Sequence, residues 1–188
     1  MRPLRERVAA AQRSLAAIYR LELDLDAGAF VVDPERAKAL LPPGSPRTGL
    51  VVVEEAGDAR VGLYIDPADA DDPGTVLEET SHLVYLAWQC ARGRGVSLLE
   101  LEIQAEVDRY AVARLAGDDG LAHFRGFRFD EALGVQARHR YQTAHVAARR
   151  TCWDFERRFP GREDTPGLLA DLRRYYRATP QAKLRPEA

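Results

Sequence analysis

Apolar side chains recur at helical spacing from the start of the chain. Leu4, Val8, Ala11, Leu15, Ile18 and Leu21 fall on one face and predict a helix over 4–22. Residues 27–46 are mixed; Asp33-Pro34 can open a short helix there and Pro42-Pro43-Gly44 can end it. The pattern then becomes strand-like. Gly49–Glu54 carries Leu50-Val51-Val52-Val53, Arg60–Ile65 carries Val61, Leu63 and Ile65, and Glu55-Ala56-Gly57-Asp58-Ala59 reads as the turn of a hairpin. An acidic, proline-bearing loop, Asp66–Gly74, leads into two long helical patterns. The first runs from Thr75 to about Ala91, with Thr75 and Glu78 fitting a capping box, and Arg92-Gly93-Arg94-Gly95 breaks it. The second runs from Ser97 to about Ala116, with Ser97 and Glu100 as a second capping box and Gly117-Asp118-Asp119-Gly120 as its stop. A long helix is predicted over Glu131–Phe159, stopped by Pro160-Gly161. Thr165-Pro166 opens a last helix to about Tyr176, and a proline-containing tail follows.

These elements predict one α+β domain over 1–188. Residues 49–116 form its core and 121–179 a helical C-terminal extension. The 188 residues are 46% hydrophobic and 30% charged, enough apolar material for a core. No run approaches the roughly 18 apolar residues of a membrane span, and the first residues have no apolar signal core. Cys90 and Cys152 form no C-x-x-C pair and read as buried thiols, which predicts a reducing, cytoplasmic setting. Charge is uneven: residues 1–120 carry 13 basic and 21 acidic side chains, residues 121–188 carry 14 and 8. The basic C-terminal third could meet nucleic acid, or dock on the acidic part of its own chain or of a second copy. Of the 27 basic residues 25 are arginine, which fits a GC-rich, bacterial genome.

The candidate chemistry lies in the two central helices. Glu78 and His82 are one turn apart on one face, and Glu79 sits at its edge. On the next helix Glu106 is flanked by Leu99, Ile103, Tyr110 and Ala113. A carboxylate on such a face is costly unless paired or metal-bound. Glu102, one turn earlier, has a weaker version of the same problem, and Asp108 points away from both.

The stretch Glu78-Glu79-Thr80-Ser81-His82 resembles the H-E-x-x-H motif of zincin metallopeptidases with the first His replaced by Glu. Glu106-Val107-Asp108-Arg109-Tyr110-Ala111 is similar to the E-A-[ND]-x-F-A signature of the ImmA/IrrE-type, glutamate-zincin branch. The resemblance covers about residues 49–116. It implies a zincin-like core, with Glu78, His82 and Glu106 as ligands of one divalent metal and Glu79 as the general base that activates its water. It also implies a hairpin strand flanking the cleft, and an oxyanion-stabilising Tyr or His from a later helix, for which Tyr141 and His145 stand on one face. Two carboxylates among three ligands favour manganese or iron over zinc, and reduce Lewis acidity.

Three functions are compatible with these residues. One is a degenerate metallopeptidase-like protein, a pseudoenzyme that binds a metal or regulates a protein or peptide partner. Another is an active metal-dependent peptidase. The third is a carboxylate-rich di-metal protein assembled as a dimer, because Glu79-x-x-His82 is the chain's single E-x-x-H element. Structural roles also account for the same residues: Glu78 as a capping residue, Glu79 on the helix dipole, and Tyr141 and His145 as hydrogen-bonded core positions.

Overall fold

The computed structural model describes residues 3–41, 48–55, 58–126 and 133–184. Among them are eight α-helices, one 3₁₀ turn and one two-stranded antiparallel sheet, an α-rich form of an α+β chain. Helix α1 spans Leu4–Tyr19, and the 3₁₀ turn Ala27–Phe30. Helix α2 spans Pro34–Leu40, and strands β1 and β2 span Gly49–Glu55 and Asp58–Tyr64. Then come α3 (Pro73–Cys90), α4 (Leu98–Ala116), α5 (Ala122–Gly126), α6 (Val135–Arg158), α7 (Thr165–Tyr176) and α8 (Pro180–Leu184). No helix among the described residues is long and apolar enough to cross a membrane.

Most elements follow the apolar pattern, and the differences have local causes. Helix α1 ends at Tyr19 rather than 22 because Arg20 turns left-handed, at φ 51°, while its N–H still reaches Ala16 O. Helix α3 starts two residues before the expected Thr75. Asp72 is its N-cap, accepting from Gly74 N at 3.3 Å and Thr75 N at 2.7 Å, and Pro73 fills the first turn. The Thr75–Glu78 capping box is therefore not formed, and Glu78 is free for another partner. The Ser97–Glu100 box on α4 is complete in both directions. Helix α6 begins at Val135; the residues 131–132 expected at its start, like Pro42-Pro43-Gly44, lie outside the described ones. The tail expected after Thr179 folds into α8.

The hairpin register runs from Gly49 opposite Tyr64 to Glu55 opposite Asp58. Its far edge takes one hydrogen bond from Val32 N to Leu63 O, 2.9 Å. Helices α3 and α4 pack side by side, with α1 on one side and α6 covering α4. The main core gathers Leu15, Tyr19, Val84, Tyr85, Trp88, Tyr110, Phe155 and Tyr176; the hairpin closes a smaller one around Val8, Leu63, Ile65 and Leu83.

A polar network runs through the main core. Asp108 accepts from Tyr19 Oη (2.5 Å), Ser81 Oγ (2.6 Å) and Gln104 Nε2 (2.7 Å). Lys183, buried on α8, donates to Gln104 Oε1 (2.7 Å) and to Tyr85 Oη (2.9 Å). Burial raises the Asp108 carboxyl to about 6, against the pull of its three donors, and lowers the Lys183 ammonium to about 7. The network ties α1, α3, α4 and α8 together, so the C-terminal segment is part of the same packed body. Arg173 and Arg177 add to this by donating to Ile18 O (2.8 Å) and Tyr19 O (3.0 Å), the open carbonyls at the end of α1.

Candidate metal centre

Helix α3 presents Glu78, Glu79 and His82 toward α4. His82 and Glu79 are each 8% exposed. The two ring nitrogens of His82 face different carboxylates: Nδ1 is 3.4 Å from Glu79 Oε2, and Nε2 is 3.6 Å from Glu102 Oε2. Nε2 and Glu79 Oε2 are buried without a hydrogen-bond partner. Glu78 pairs with Arg109 on α4 at 3.1 Å. Room for that guanidinium comes from Gly74, where a Cβ would overlap it. Glu102 also faces Arg140 of α6, with Nε 3.5 Å from Oε1.

One ligand atom from each of Glu78, His82 and Glu102 lies within 4.8 Å of the other two, so this cluster could hold a metal ion. The expected partner of Glu78 and His82 was Glu106; the residue that joins them is Glu102, one helical turn earlier. Glu106 is turned instead to two histidines. His123 Nε2 lies 2.9 Å from its Oε2, and His145 Nδ1 lies 3.3 Å from its Oε1. A one-turn difference along α4 depends on the α3–α4 crossing, which helical phase within α4 alone does not contain.

Electrostatics follow from crowding buried charges. Burial alone would lower the His82 imidazole, but the adjoining Glu79, Glu102 and Glu78 outweigh it and raise it to about 9. Burial raises Glu102 to about 7, with His82 and Arg140 pulling the other way. Burial also raises Glu78, opposed by His82 and Arg109. Glu106 goes the other way. Burial would raise it, yet hydrogen bonds from His123 and His145 take it down to about 2.

The cluster opens into a cleft of about 380 Å³. Gly49–Val52 of β1 form one rim, and Arg140 and Tyr141 of α6 the other. The Arg140 guanidinium lies 5.1 Å from the Tyr141 ring centre. Burial, with Glu102 nearby, raises the Tyr141 hydroxyl to about 12, so it stays protonated. His145 is on the Glu106 side, so Tyr141 and His145 stand beside different carboxylates. The sequence did not single out His123 or Arg140. His123 follows a glycine-rich break and has no periodic context, and Arg140 lies on a helix in which arginines are frequent. Cys152 is buried as expected, whereas Cys90 is exposed at the end of α3.

Comparison with family models, curated proteins and solved structures finds no match to this chain.

Proposed function

We propose that the protein is a divalent-metal-binding domain, with Glu78, His82 and Glu102 as ligands, built on a metallopeptidase-like plan but not tuned for proteolysis. The observation that carries this reading is the buried Nε2 of His82, which makes no hydrogen bond and is directed at Glu102, 3.6 Å away. Buried polar atoms without partners are rare, and an imidazole nitrogen aimed into a carboxylate pair is the donor set of a cation site. Manganese or iron(II) suits two carboxylates and one imidazole better than zinc does.

In this reading Glu79 orients rather than activates. Its carboxylate faces Nδ1, the nitrogen away from Glu102. That is the placement of the outer-shell carboxylate that fixes the tautomer of a metal-bound histidine. Two carboxylate ligands also reduce the acidity of any bound water. The role that follows is structural or regulatory: the ion neutralises buried acids and locks α3 to α4 beside the cleft.

The β1 rim supports a second reading, metal-dependent cleavage of an extended peptide. Among the described residues β1 pairs with β2 alone, and it borders the same cleft as His82. Thermal melts with and without manganese or zinc test the first reading. Metal should raise the melting temperature of the wild type and leave that of Glu102→Gln unchanged. An equal response of both proteins would reject the ligand set, and hydrolysis of an unstructured peptide by the metal-loaded wild type would favour the second reading.

A further inference from the structure

We propose that Tyr85, Tyr175, Tyr176 and Gln104 form a binding cage for a primary alkylamine, and that α8 plugs this cage with its own Lys183 as a tethered ligand. The cage shares no residue with the metal centre and does not rest on that reading.

The first observation is how α8 is attached. A short terminal helix ordinarily docks by its apolar side chains, and lysine is among the residues least often buried. Here the order is reversed. Lys183 is the buried residue of α8, at 1% exposed, while its neighbour Leu184 is 38% exposed, and Gln181 and Ala182 are exposed as well. Arg150 adds a hydrogen bond to Leu184 O at the exposed rim, 3.0 Å. A helix of five residues that buries one polar side chain is a segment that opens locally at small cost.

The second observation is what receives the lysine. Its Nζ lies 4.3, 5.1 and 5.9 Å from the ring centres of Tyr85, Tyr175 and Tyr176. The Tyr85 and Tyr176 rings stand at 88° to each other, 5.1 Å between centres, and so make two walls of a box. Aromatic faces attract a cation, and a box of them is the arrangement that recognises ammonium groups. Burial lowers the Lys183 ammonium to about 7; Asp108 and Glu100 of α4 oppose this, and Arg94, between α3 and α4, adds to it.

The third observation fixes the class of ligand. Gln104 donates through Nε2 to Asp108, so its Oε1 is turned to the lysine, and an amide oxygen only accepts. Tyr85 Oη takes a second N–H from Lys183 and a third from Gln89 Nε2, 2.7 Å. A group that fills the cage must therefore bring N–H donors, which a primary amine has and a quaternary ammonium lacks. Further oxygens stand near: Gln89 Oε1, Glu100 Oε1 and Tyr176 Oη are buried and make no hydrogen bond. A lysine tethered to the chain fills such a cage at high effective concentration. With α8 undocked, the same contacts suit a free amine on a short alkyl chain.

Thermal melts of the full chain near neutral pH test this, on the wild type and Lys183→Ala, with n-propylamine, n-propanol or tetramethylammonium chloride. The substitution removes from the cage the atoms of n-propylamine. At saturation the amine should raise the melting temperature of Lys183→Ala by about 3 °C or more and leave that of the wild type, whose cage is full, unchanged. The alcohol lacks the charge and the quaternary ion lacks the N–H, so neither should have this effect. An equal rise with the amine and either control, or in both proteins, overturns the cage, as does a folded Lys183→Ala that does not respond to the amine. If Lys183→Ala does not fold alone, recovery of its circular dichroism with n-propylamine and neither control supports the cage, and any other result overturns it. Amide exchange tests the plug. In the wild type, amides 181–184 should exchange at least about tenfold faster than those in the middle of α4, and faster still in Lys183→Ala. Equal protection of α8 and α4 would overturn the tethered ligand.

Discussion

His82 meets Glu79 with one ring nitrogen and Glu102 with the other, at 3.4 and 3.6 Å, and the nitrogen on the Glu102 side is buried without a hydrogen bond. In the proposed metal centre this division of the two nitrogens separates a ligand carboxylate from an orienting one. It makes Glu79→Gln informative. The amide keeps the shape but weakens the hold on Nδ1. Metal affinity should drop about 10–100-fold without being abolished. Unchanged affinity in a chelator competition would show that Glu79 does not serve the histidine.

The start of α3 offers a test that does not involve metal. Asp72, not the Thr75–Glu78 pair, satisfies the first N–H groups of the helix. Asp72→Ala should therefore destabilise the protein by about 1 kcal/mol in urea unfolding, while Glu78→Gln leaves the cap intact. Equal losses in the two variants, measured without metal and with Arg109 replaced by Ala in both so that its ion pair with Glu78 does not contribute, would restore the capping role that the sequence suggests for Glu78.

How far the sequence foretells this structure depends on the kind of information involved. The hairpin and the two central helices follow from period and turn chemistry, which are local. The meeting of Glu78 and His82 follows from a single helix turn. The choice of Glu102 over Glu106 does not, because both lie on the same side of α4 and the crossing of two helices decides between them. Lys183 is the extreme case. A lysine in a proline-bearing tail reads as solvent-exposed, yet it is 1% exposed, and what buries it are Tyr85 and Gln104, 98 and 79 positions away.

That lysine gives a pH prediction. Burial lowers its pKa to about 7 from an ordinary 10.5. Between those values the unfolded chain holds a proton that the folded chain does not. Stability from this group therefore rises with pH from about 7 to 10.5, and the penalty is fully present below about 7. The slope approaches about 1.4 kcal/mol per pH unit. Lys183→Met should remove this contribution, so the difference in stability between variant and wild type should shift in the wild type's favour from pH 7 to pH 9. A difference that stays constant with pH would mean that the ammonium is not desolvated.

The most direct test of the metal centre is anomalous diffraction from crystals grown without chelator and soaked in manganese chloride. The account predicts an anomalous peak bonded to His82 Nε2 and to carboxylate oxygens of Glu78 and Glu102, with Glu79 on the opposite nitrogen of the ring. A map with no peak there, and His82 Nε2 hydrogen-bonded directly to Glu102, would contradict it.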